Sequence, residues 1–398
     1  MSKKKIGYIV SLFPCWSETF ILNEIIELEK KGYVITIFSI RKDFEKYTQE
    51  KAKPYIARSR YLHEFKVILS FFRWLLTKPH IVIPLSLKII KRSAAHSKTF
   101  IKNVWCIMAG CYFADMVIRE KIEHLHAHFA SYPTLVALVI SKLTNIKYTF
   151  TCHAHDIFLD KILLDEKVKA AKAVVTISDY NKQYITKHCG HDVLKKIFVI
   201  HCGLDLREWN YHPPVIGLQH VIVCVGRLTE MKGFEYLIHA CHKIKDKLDF
   251  KCHIVGDGHL RSRFEQLING YGLQDKISLD GVLDSADVRE LIVNATVFVV
   301  PSIWNDQDGQ DGIPLVLMEA LAIGTPSIAS RISGIPELII DGETGFLTEP
   351  GNTDQLAEKL NVLLNDGALQ VRLAKAGRKK IEEEFNIEKN AELLAQLF

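Results

Sequence analysis

Apolar residues recur along the chain in two patterns, short continuous runs and longer stretches with three- or four-residue spacing. The short runs, bounded by Gly, Pro or polar residues, predict buried strands, and the periodic stretches predict helices. Alternating strands and helices predict parallel sheets with right-handed crossovers, the doubly wound α/β class. The predicted strands are Ile6–Val10, Val34–Ile40, Leu125–Phe129, Tyr148–Thr151, Ala173–Ile177 and Ile197–Ile200 in a first series, and Val221–Val225, Lys251–Val255, Lys276–Leu279, Val297–Val300 and Ser327–Ala329 in a second. The first series also contains predicted helices at Thr19–Lys31, over residues 65–119 and from Ser131.

A change of composition separates the two series. Between Gly203 and Gly217, prolines and glycines replace the periodic apolar positions, as is typical of a linker. A chain of 398 residues is long enough for two domains that each bury a core. We therefore predict a first domain over residues 1–205 and a second over residues 206–386, each a Rossmann-like parallel sheet.

The segment that starts with the strand Val297–Val300 has the features of a ligand site. The strand ends at Pro301, a polar loop follows, and a helix is predicted to begin at Leu315. First-turn amides have no intrahelical acceptor and carry the positive end of the helix dipole, which suits an anionic or hydroxyl-rich ligand. Glu319 can accept two hydroxyl hydrogen bonds at once, as a vicinal diol such as ribose requires. The alternative is an N-terminal helix carboxylate with a solvated glutamate behind it. The predicted donor-binding residues here are Asp311, Gly312, Ile313, Pro314, Leu315 and Glu319.

Two cations flank a glycine turn after the strand Val221–Val225. Arg227 follows Gly226, and Lys232 precedes the next predicted helix. Ligands of open α/β sheets bind at the carboxyl ends of the strands, so both cations should face the same crevice as the loop of Asp311. There they would bind a diphosphate and stabilise charge on a diphosphate leaving group, which makes them catalytic and donor-binding candidates together with Asp311. The alternative is that both have no role beyond the local structure.

The first half contains its own candidates at strand ends. His153 directly follows a predicted strand and is the main acceptor-side catalytic candidate, and Asp156 could orient it or bind the acceptor. A hydrogen-bonded histidine at a strand end is the alternative. Ser17 can cap the first helix, and its loop can approach a diphosphate through backbone N–H groups; simple capping is an equal alternative. Glu18 is a second acceptor-binding candidate.

Two patterns raise the question of a metal. Candidates for zinc are His126, His128, His153, His155 and Asp156. Residues i and i+2 share a face of a strand, but such pairs arise easily among 17 histidines, and we expect His126 and His128 to be packed or hydrogen-bonded at the base of the domain. The segment Asp306-Gln307-Asp308 could hold Mg²⁺ on a diphosphate. Because two basic side chains already supply positive charge, we expect no metal and no cofactor.

Residues 58–102 are basic and apolar at once. They contain ten Lys or Arg residues and one acid, Glu64, with aromatic residues and leucines interleaved. Basic amphipathic helices of this composition bind anionic membrane surfaces. The alternative is a solvated cationic face over an ordinary helical core.

Composition limits the remaining possibilities. The net charge of +5 is too small to imply binding to nucleic acid. Nine cysteines without a C-x-x-C pair indicate a reducing cytosol. The apolar run Ile6–Phe13 is too short for a signal peptide and is interrupted by Gly7 and Ser11. Since no apolar stretch approaches about 18 residues, we expect a cytoplasmic chain that does not span a membrane.

Several motifs together resemble a known family. They are Gly226-Arg227-Leu228 with Lys232-Gly233, Gly256-Asp257-Gly258, Pro301-Ser302 with the block Asp311 to Glu319, Gly342-Glu343-Thr344-Gly345-Phe346-Leu347, Ser17-Glu18-Thr19-Phe20-Ile21 and Thr151-Cys152-His153-Ala154-His155-Asp156-Ile157. They resemble the retaining glycosyltransferases of family 4, and the last two resemble the branch that builds bacterial capsular, colanic-acid-like or O-antigen polysaccharides. The resemblance covers most of the chain and is weakest over about residues 43–120. The family has a Glu-x7-Glu pair in the donor site; here the first position is Asp311, one methylene shorter.

The resemblance implies the GT-B fold, with the active site in a cleft between two domains and the last helix, residues 387–398, packed back on the first. It implies a nucleotide diphosphate sugar, with a lean to uridine, as donor and co-substrate. It also implies that His153 contacts the C6 hydroxyl of the transferred sugar. The acceptor would be a lipid-linked saccharide, which places the enzyme peripherally at the inner face of the cell membrane. The non-enzyme alternative is a pseudo-glycosyltransferase subunit that binds nucleotide sugar or scaffolds a polysaccharide complex; a GT-B epimerase or phosphorylase would need motifs that the chain lacks.

Overall fold

The predicted alternation of strands and helices is present as two parallel sheets, one in each half of the chain. The computed structural model describes residues 4–15, 18–42, 50–93, 97–158, 161–214, 216–217, 219–305 and 309–398. The chain divides into unit 1, residues 1–201 with 387–398, and unit 2, residues 202–386. The predicted doubly wound α/β class is confirmed.

Unit 1 is built on a seven-stranded sheet. Its strands are β1 (Lys5–Leu12), β2 (Val34–Arg41), β3 (Arg60–Tyr61), β4 (His124–His128), β5 (Tyr148–Cys152), β6 (Ala173–Thr176) and β7 (Ile197–Val199). Its helices are α1 (Thr19–Lys30), α2 (Lys53–Ile56), α3 (Glu64–Thr77), α4 (Pro79–Ser93), α5 (Ser97–Arg119), α6 (Tyr132–Thr144), α7 (His155–Phe158), α8 (Leu164–Ala170) and α9 (Asp179–Cys189). The strand order is β3-β2-β1-β4-β5-β6-β7. The order reverses between β1 and β4, the place where open α/β sheets bind ligands.

The helical stretch predicted over residues 65–119 consists of three helices, α3, α4 and α5. The first break falls at Lys78, whose backbone has left the helical region at φ −134° and ψ 55°. Lys78 precedes Pro79, and the proline ring disfavours the helical conformation of the residue before it. Two residues form β3, which is too short for a periodic pattern to predict.

Unit 2 is built on a six-stranded sheet. Its strands are β8 (His220–Val225), β9 (Phe250–Val255), β10 (Ile277–Gly281), β11 (Val297–Val300), β12 (Ser327–Ser330) and β13 (Phe346–Thr348). Its helices are α10 (Phe234–Ile244), α11 (Arg261–Gly270), α12 (Ser285–Asn294), α13 (Leu315–Ile323), α14 (Ile335–Leu338), α15 (Thr353–Asn365) and α16 (Gly367–Glu384). The strand order is β10-β9-β8-β11-β12-β13, so the order reverses between β8 and β11. All five predicted strands are present, and β13 is an additional one.

The last helix, α17 (Ile387–Ala395), belongs to unit 1 although it follows unit 2 in the sequence. Ala391, Leu394 and Phe398 are buried in one apolar cluster with residues of α1 and β1. Asn390 donates a hydrogen bond to the carbonyl of His201 at 2.9 Å, and Lys172 donates to the carbonyl of Phe398 at 2.8 Å. These contacts make the end of the chain part of the core of unit 1.

Among the residues that the structure describes, one helix, Phe100–Arg119, is long and apolar enough to cross a membrane by length and composition. Glu64–Thr77 with Pro79–Arg92 would pass the same test only as one pair bent by 117°. Of the apolar window in Phe100–Arg119, 56% is buried inside the protein. The expectation from sequence considered only uninterrupted apolar runs, whereas this helix also carries Lys102 and Asp115. Its buried side packs against α3 and α6, as a core helix does.

Candidate active site

The loops after β8 and β11 bring together two of the predicted donor-side residues. Lys232 ends a 3₁₀ turn, Glu230–Lys232, that follows β8, and Asp311 lies in the loop between β11 and α13. The Lys232 Nζ atom lies 2.7 Å from Oδ1 and 3.0 Å from Oδ2 of Asp311. The Ser302 hydroxyl donates to Oδ2 of Asp311 at 2.5 Å. The lysine and the aspartate therefore form a half-buried ion pair at the switch point of the sheet.

The close approach of these loops depends on Gly233, which precedes α10. Its φ is +65°, and a Cβ atom there would lie 1.9 Å from the carbonyl oxygen of Pro301. Only a glycine fits such a contact with a backbone atom. Arg227 is exposed in the same turn, and the described part of the chain provides it with no side-chain hydrogen bond or ion pair. Its guanidinium is thus available to a ligand.

The N-terminus of α13 has the open amides that the sequence predicted. Pro314 is the N-cap residue with an extended backbone, and its carbonyl accepts from the amides of Leu317 and Met318. The amides of Leu315 and Val316 have no acceptor among the described residues. Met318, Leu321 and most of the helix are buried. A rigid helix thus presents the positive end of its dipole at the same sheet edge as Lys232.

Glu319 lies one turn further along α13 and is half-buried. The atoms around its carboxyl group exclude water, and this burial raises its pKa to about 7, while the nearby charge of Arg289 lowers it in part. The described residues provide its carboxyl group with no hydrogen bond. Arg289, on α12, lies over the ring of Trp209 at 4.3 Å, and its Nε is buried without a hydrogen-bond partner. Arg289 was not predicted, because no local pattern connects α12 with α13.

His153 lies at the end of β5 with its ring between two aromatic rings. The ring centroids of Phe20 and Phe129 lie 4.7 Å and 4.8 Å from that of His153. The side-chain amide of Asn181 donates to the His153 carbonyl. Burial lowers the pKa of His153 well below its ordinary value, and His128 lowers it further. The imidazole is therefore neutral near pH 7.

Asp156 is 3% exposed and holds two loops together. Its Oδ2 accepts from the amide of Ala130 at 2.6 Å, and its Oδ1 accepts from the amide of His153 at 3.0 Å. Burial raises the pKa of this carboxyl, and the backbone amides oppose that increase. These contacts orient the backbone of His153; contact of Asp156 with an acceptor stays a prediction.

The two H-x-H pairs do not form the zinc set considered from sequence. His155 is exposed on α7, and both oxygens of Asp156 accept backbone amides. His126 and His128 are buried and hydrogen-bonded, but His128 ends β4 beside His153 instead of lying at the base of the domain. The described groups whose ligand atoms could surround a cation are those of Glu24, His126 and His128. Glu24 was not predicted, because its contact with β4 comes from tertiary packing.

The remaining predictions concern the loop before α1, the segment with two aspartates after β11, and the cysteines. Ser17 and the segment Asp306-Gln307-Asp308 lie outside the described residues. Glu18 precedes α1 and lines a mostly apolar pocket with Phe13, Ile21 and Leu22. All nine cysteines lie in the part of the chain that the structure describes, and no two of them form a disulfide.

Comparison with known proteins identifies the family. Residues 17–208 match the family model Glycosyltransferase Family 4, and residues 215–380 match Glycosyl transferases group 1. A putative colanic acid biosynthesis glycosyltransferase of Escherichia coli K12 is 28% identical, and an amylovoran biosynthesis glycosyltransferase of Erwinia amylovora is 27% identical; each alignment covers 96% of both chains. The crystal structure of Anabaena HepE in complex with UDP has a TM-score of 0.73 at 15% identity, covering 99% of this chain and 98% of that one; HepE has also been solved with UDP-glucose.

The two parallel-sheet domains and these structural neighbours define a GT-B glycosyltransferase. The chain belongs to the group 1 and family 4 glycosyltransferases, in the branch of its colanic acid and amylovoran relatives. The resemblance to family 4 is confirmed.

Proposed function

We propose that the protein transfers a sugar, with retention of configuration, from a UDP-sugar to a hydroxyl of a lipid-linked saccharide in surface polysaccharide biosynthesis. Unit 2 binds the donor and unit 1 the acceptor. The observation that carries the proposal is the donor-side set of the Lys232–Asp311 ion pair, the open amides of α13 and the carboxyl group of Glu319. The names of the two polysaccharide relatives and the UDP complexes of HepE support the reaction class and the donor class.

Each donor group has a binding partner of matching chemistry. The diphosphate binds the open amides of α13 together with Lys232 and Arg227. Because a diphosphate competes with Asp311 for Lys232, its arrival frees carboxylate oxygens of Asp311 to accept hydrogen bonds from the donor sugar. The carboxylate of Glu319 accepts hydrogen bonds from both hydroxyls of the ribose.

The chemical step needs no protein nucleophile. The bond between C1 of the sugar and the diphosphate oxygen breaks, and its electron pair leaves with the diphosphate, where Lys232 and Arg227 stabilise the added charge. The acceptor oxygen bonds to C1 from the same face. Its proton passes to the departing diphosphate, so the products are UDP and the glycoside with unchanged anomeric configuration.

The competing function is a pseudo-glycosyltransferase, whose support in the sequence is Asp311 in place of Glu. In the structure this aspartate contacts Lys232 and Ser302, so the shorter side chain is still part of the donor-side cluster. This contact favours the enzyme.

Turnover of nucleotide sugars tests the proposal. Purified protein is incubated with a panel of UDP-sugars in excess EDTA, with and without lipid-linked saccharides, and UDP release is measured. We expect release with at least one donor, and NMR of the glycoside should show the donor's anomeric configuration. Binding without release across the panel would favour the pseudo-enzyme, and an inverted product would exclude front-face transfer. A rate that falls with EDTA and returns with Mg²⁺ or Mn²⁺ would bring Asp306 and Asp308 into the site.

We also propose that unit 1 binds the cytoplasmic membrane surface through α3. The exposed side of this helix carries Phe65, Ile68, Leu69, Phe72 and Leu76 at three- or four-residue spacing. Leu76 is 82% exposed. Such an apolar stripe inserts into the interface between headgroups and acyl chains.

The positive charge of the 58–102 segment is smaller than its sequence implies. Five of its basic residues form ion pairs with acids from other segments: Arg58 with Glu29, Arg60 with Glu120, Arg73 with Asp115, Lys88 with Glu166, and Arg92 with Asp165. Lys66 on α3 and Lys91 on α4 remain exposed. Membrane binding should therefore depend more on the apolar side chains than on charge.

Sedimentation with phosphatidylglycerol vesicles tests this surface. Wild-type protein should sediment, and the combined Leu69→Ser, Phe72→Ser and Leu76→Ser variant should stay in the supernatant. Lys66→Glu with Lys91→Glu should weaken binding less, mainly at low salt. Val362→Ser, an exposed apolar position of unit 2, is the control. Binding that none of these changes reduces would exclude α3 as the membrane surface.

A further inference from the structure

Unit 1 contains a group of buried polar side chains behind His153 that the proposed reaction does not use. β4 carries His126 and His128, and Tyr8 of β1 lies opposite His126 in the parallel register. Glu24 reaches the group from α1. Tyr8 and His126 are 0% exposed, and His128 is 1% exposed. Burial of polar groups is costly unless each has a hydrogen-bond partner, so the partners show how the group is organised.

The side chains form a linear chain of contacts that ends at His153. The Nε2 atom of His128 lies 2.9 Å from Oε1 of Glu24, and its Nδ1 atom lies 3.4 Å from Nε2 of His153. The Tyr8 hydroxyl donates to the same oxygen of Glu24 at 2.7 Å. His128 therefore lies between a carboxylate and the acceptor-side histidine.

The carboxylate fixes the direction of every hydrogen bond in this chain. A carboxylate only accepts, so Nε2 of His128 carries a hydrogen, and when the ring carries this hydrogen alone its Nδ1 is an acceptor. The atom that faces this acceptor, Nε2 of His153, must then be the donor. Burial and the charge of Glu24 raise the pKa of Tyr8 well above its ordinary value, which keeps the phenol a donor to Glu24.

We propose that Glu24 and His128 are positioning residues that hold His153 with its hydrogen on Nε2 and a lone pair on Nδ1. In this tautomer Nδ1 of His153 can only accept a hydrogen bond, so a substrate group that contacts it must be a donor, such as a sugar hydroxyl. The link to a sugar rests on the proposed function. The tautomer itself follows from the contacts within unit 1 and is tested separately.

A cation held by Glu24, His126 and His128 is the competing explanation of the same group, since their ligand atoms lie within 4.8 Å of one another. Each ring nitrogen of His126 already has a hydroxyl group as its hydrogen-bond partner. Nδ1 lies 2.8 Å from Oγ1 of Thr149, and Nε2 lies 3.1 Å from Oγ1 of Thr151. Hydrogen bonds to protein groups therefore account for both ring nitrogens of His126 and of His128 without an ion. The chain of hydrogen bonds also explains why His128 faces His153.

Substitutions of His128 distinguish the roles of its two ring nitrogens. His128→Asn keeps an acceptor near the position of Nδ1, His128→Gln keeps a donor near that of Nε2, and His128→Phe keeps neither. We expect Asn to retain most of kcat, and Gln and Phe to lower kcat about tenfold, the order of magnitude seen when the partner of an oriented histidine is lost. The donor KM should stay unchanged. His124→Phe is the control, because this buried histidine of β4 contacts Thr149 and lies outside the chain.

NMR of ¹⁵N-histidine-labelled protein reads the tautomer directly, with the His153 signals identified by their loss in His153→Gln. We expect hydrogen on Nε2 in the wild type and a mixture of tautomers in His128→Phe. Hydrogen on Nδ1 in the wild type would overturn the proposal, as would a Gln variant that outperforms Asn. Stoichiometric zinc that requires His126 and His128 would also overturn it, since zinc would occupy Nε2 of His128. Absence of transfer with any donor would contradict the proposed function and leave the NMR result to decide the tautomer.

Discussion

At the scale of single residues, the proposed contact of Glu319 with ribose predicts that nucleotide binding depends on pH. Its pKa of about 7 results from burial, so near neutral pH part of the population is protonated. A protonated carboxyl cannot accept from both hydroxyls of a diol through two anionic oxygens. The affinity for the donor should therefore follow the ionisation of this one group.

We predict that the affinity for UDP-glucose increases between about pH 6 and about pH 8, and that Glu319→Gln is weaker and nearly independent of pH. Loss of one charge-assisted hydrogen bond should cost about 1.5–3 kcal/mol at the upper end of this range. Calorimetry across this pH range measures the affinity of the wild type and of the variant. UDP-glucose is the suitable ligand because its phosphates, unlike the terminal phosphate of UDP, do not titrate in this range. Parallel pH profiles of wild type and variant would exclude Glu319 as the ribose-binding carboxylate.

The same substitution should stabilise the protein at high pH. The folded-state pKa of Glu319 lies above its ordinary value of 4.5, so its contribution to stability is fully present below that value and is lost as pH rises through about 7. Glutamine is neutral throughout. We expect Glu319→Gln to be more stable than wild type at about pH 8, by on the order of 2 kcal/mol, and to lose this advantage near pH 5. Thermal unfolding at both pH values measures the difference, and equal differences at both would contradict the burial effect.

Substitution of Lys232 and substitution of His153 should change different kinetic parameters. In the proposed reaction Lys232 contacts the diphosphate before and during bond breaking, so Lys232→Ala should raise the donor KM and lower kcat together. His153 belongs to unit 1, so His153→Ala should lower kcat by roughly tenfold or more and leave nucleotide affinity within a few-fold. Steady-state kinetics with calorimetry measures both. If His153→Ala abolished nucleotide binding and spared kcat, the assignment of donor binding to unit 2 would be wrong.

The sequence predicted candidate residues in the segments that follow strands, and it missed the helix residues that contact them. Lys232, Asp311 and His153 each lie in a segment that follows a strand, on the side of the sheet where its topology places ligands. Glu24 and Arg289 lie on helices and reach their partners only through tertiary packing. No spacing along the chain records such a contact.

At the scale of elements, a strand or helix could be predicted when its pattern of apolar residues was long and clear. The strands of four or more residues were predicted, among them the apolar runs of β8 and β11, and so was the three-residue β7. The other two short strands, β3 with two residues and β13 with three, were not predicted. The division of residues 65–119 into α3, α4 and α5 was missed because apolar periodicity continues through the break at Pro79. The proline itself was the available signal.

Gly233 offers a test of how tightly the loops after β8 and β11 must approach. We predict that Gly233→Ala destabilises unit 2 and weakens UDP-glucose binding, because the new Cβ would collide with the carbonyl of Pro301. Gly272→Ala is the matched control: its φ of +61° is close to the +65° of Gly233, but no atom lies within 4 Å of its Cβ position. Thermal unfolding compares the two, and equal losses would mean that backbone strain alone is responsible.

At the scale of the whole molecule, the helix α17 completes an apolar cluster of unit 1. Leu394 of α17 is 1% exposed in the apolar cluster that contains Ile21, Leu22 and Ile25 of α1. Leu393, its neighbour, is 48% exposed. The two leucines therefore differ in burial while sharing one helix.

We predict that Leu394→Ala costs unit 1 about 2–5 kcal/mol, the usual range for a buried leucine, and leaves UDP-glucose binding by unit 2 unchanged. Leu393→Ala should change the stability of unit 1 by less than about 0.5 kcal/mol. Hydrogen exchange followed by mass spectrometry locates the effect, which should appear in α1 and α17. Faster exchange in unit 2 alone would contradict the assignment of α17 to unit 1.

The position of α17 also sets the order in which the two units can be completed during translation. The whole of unit 2, residues 202–386, leaves the ribosome before α17 is made. At about 5–20 residues per second this interval is on the order of 10–40 seconds, and throughout it Ile21, Leu22 and Ile25 lack the residues that cover them. Unit 2, which starts later, can finish folding first. We therefore expect unit 1, rather than unit 2, to be the part of the nascent chain that a chaperone protects.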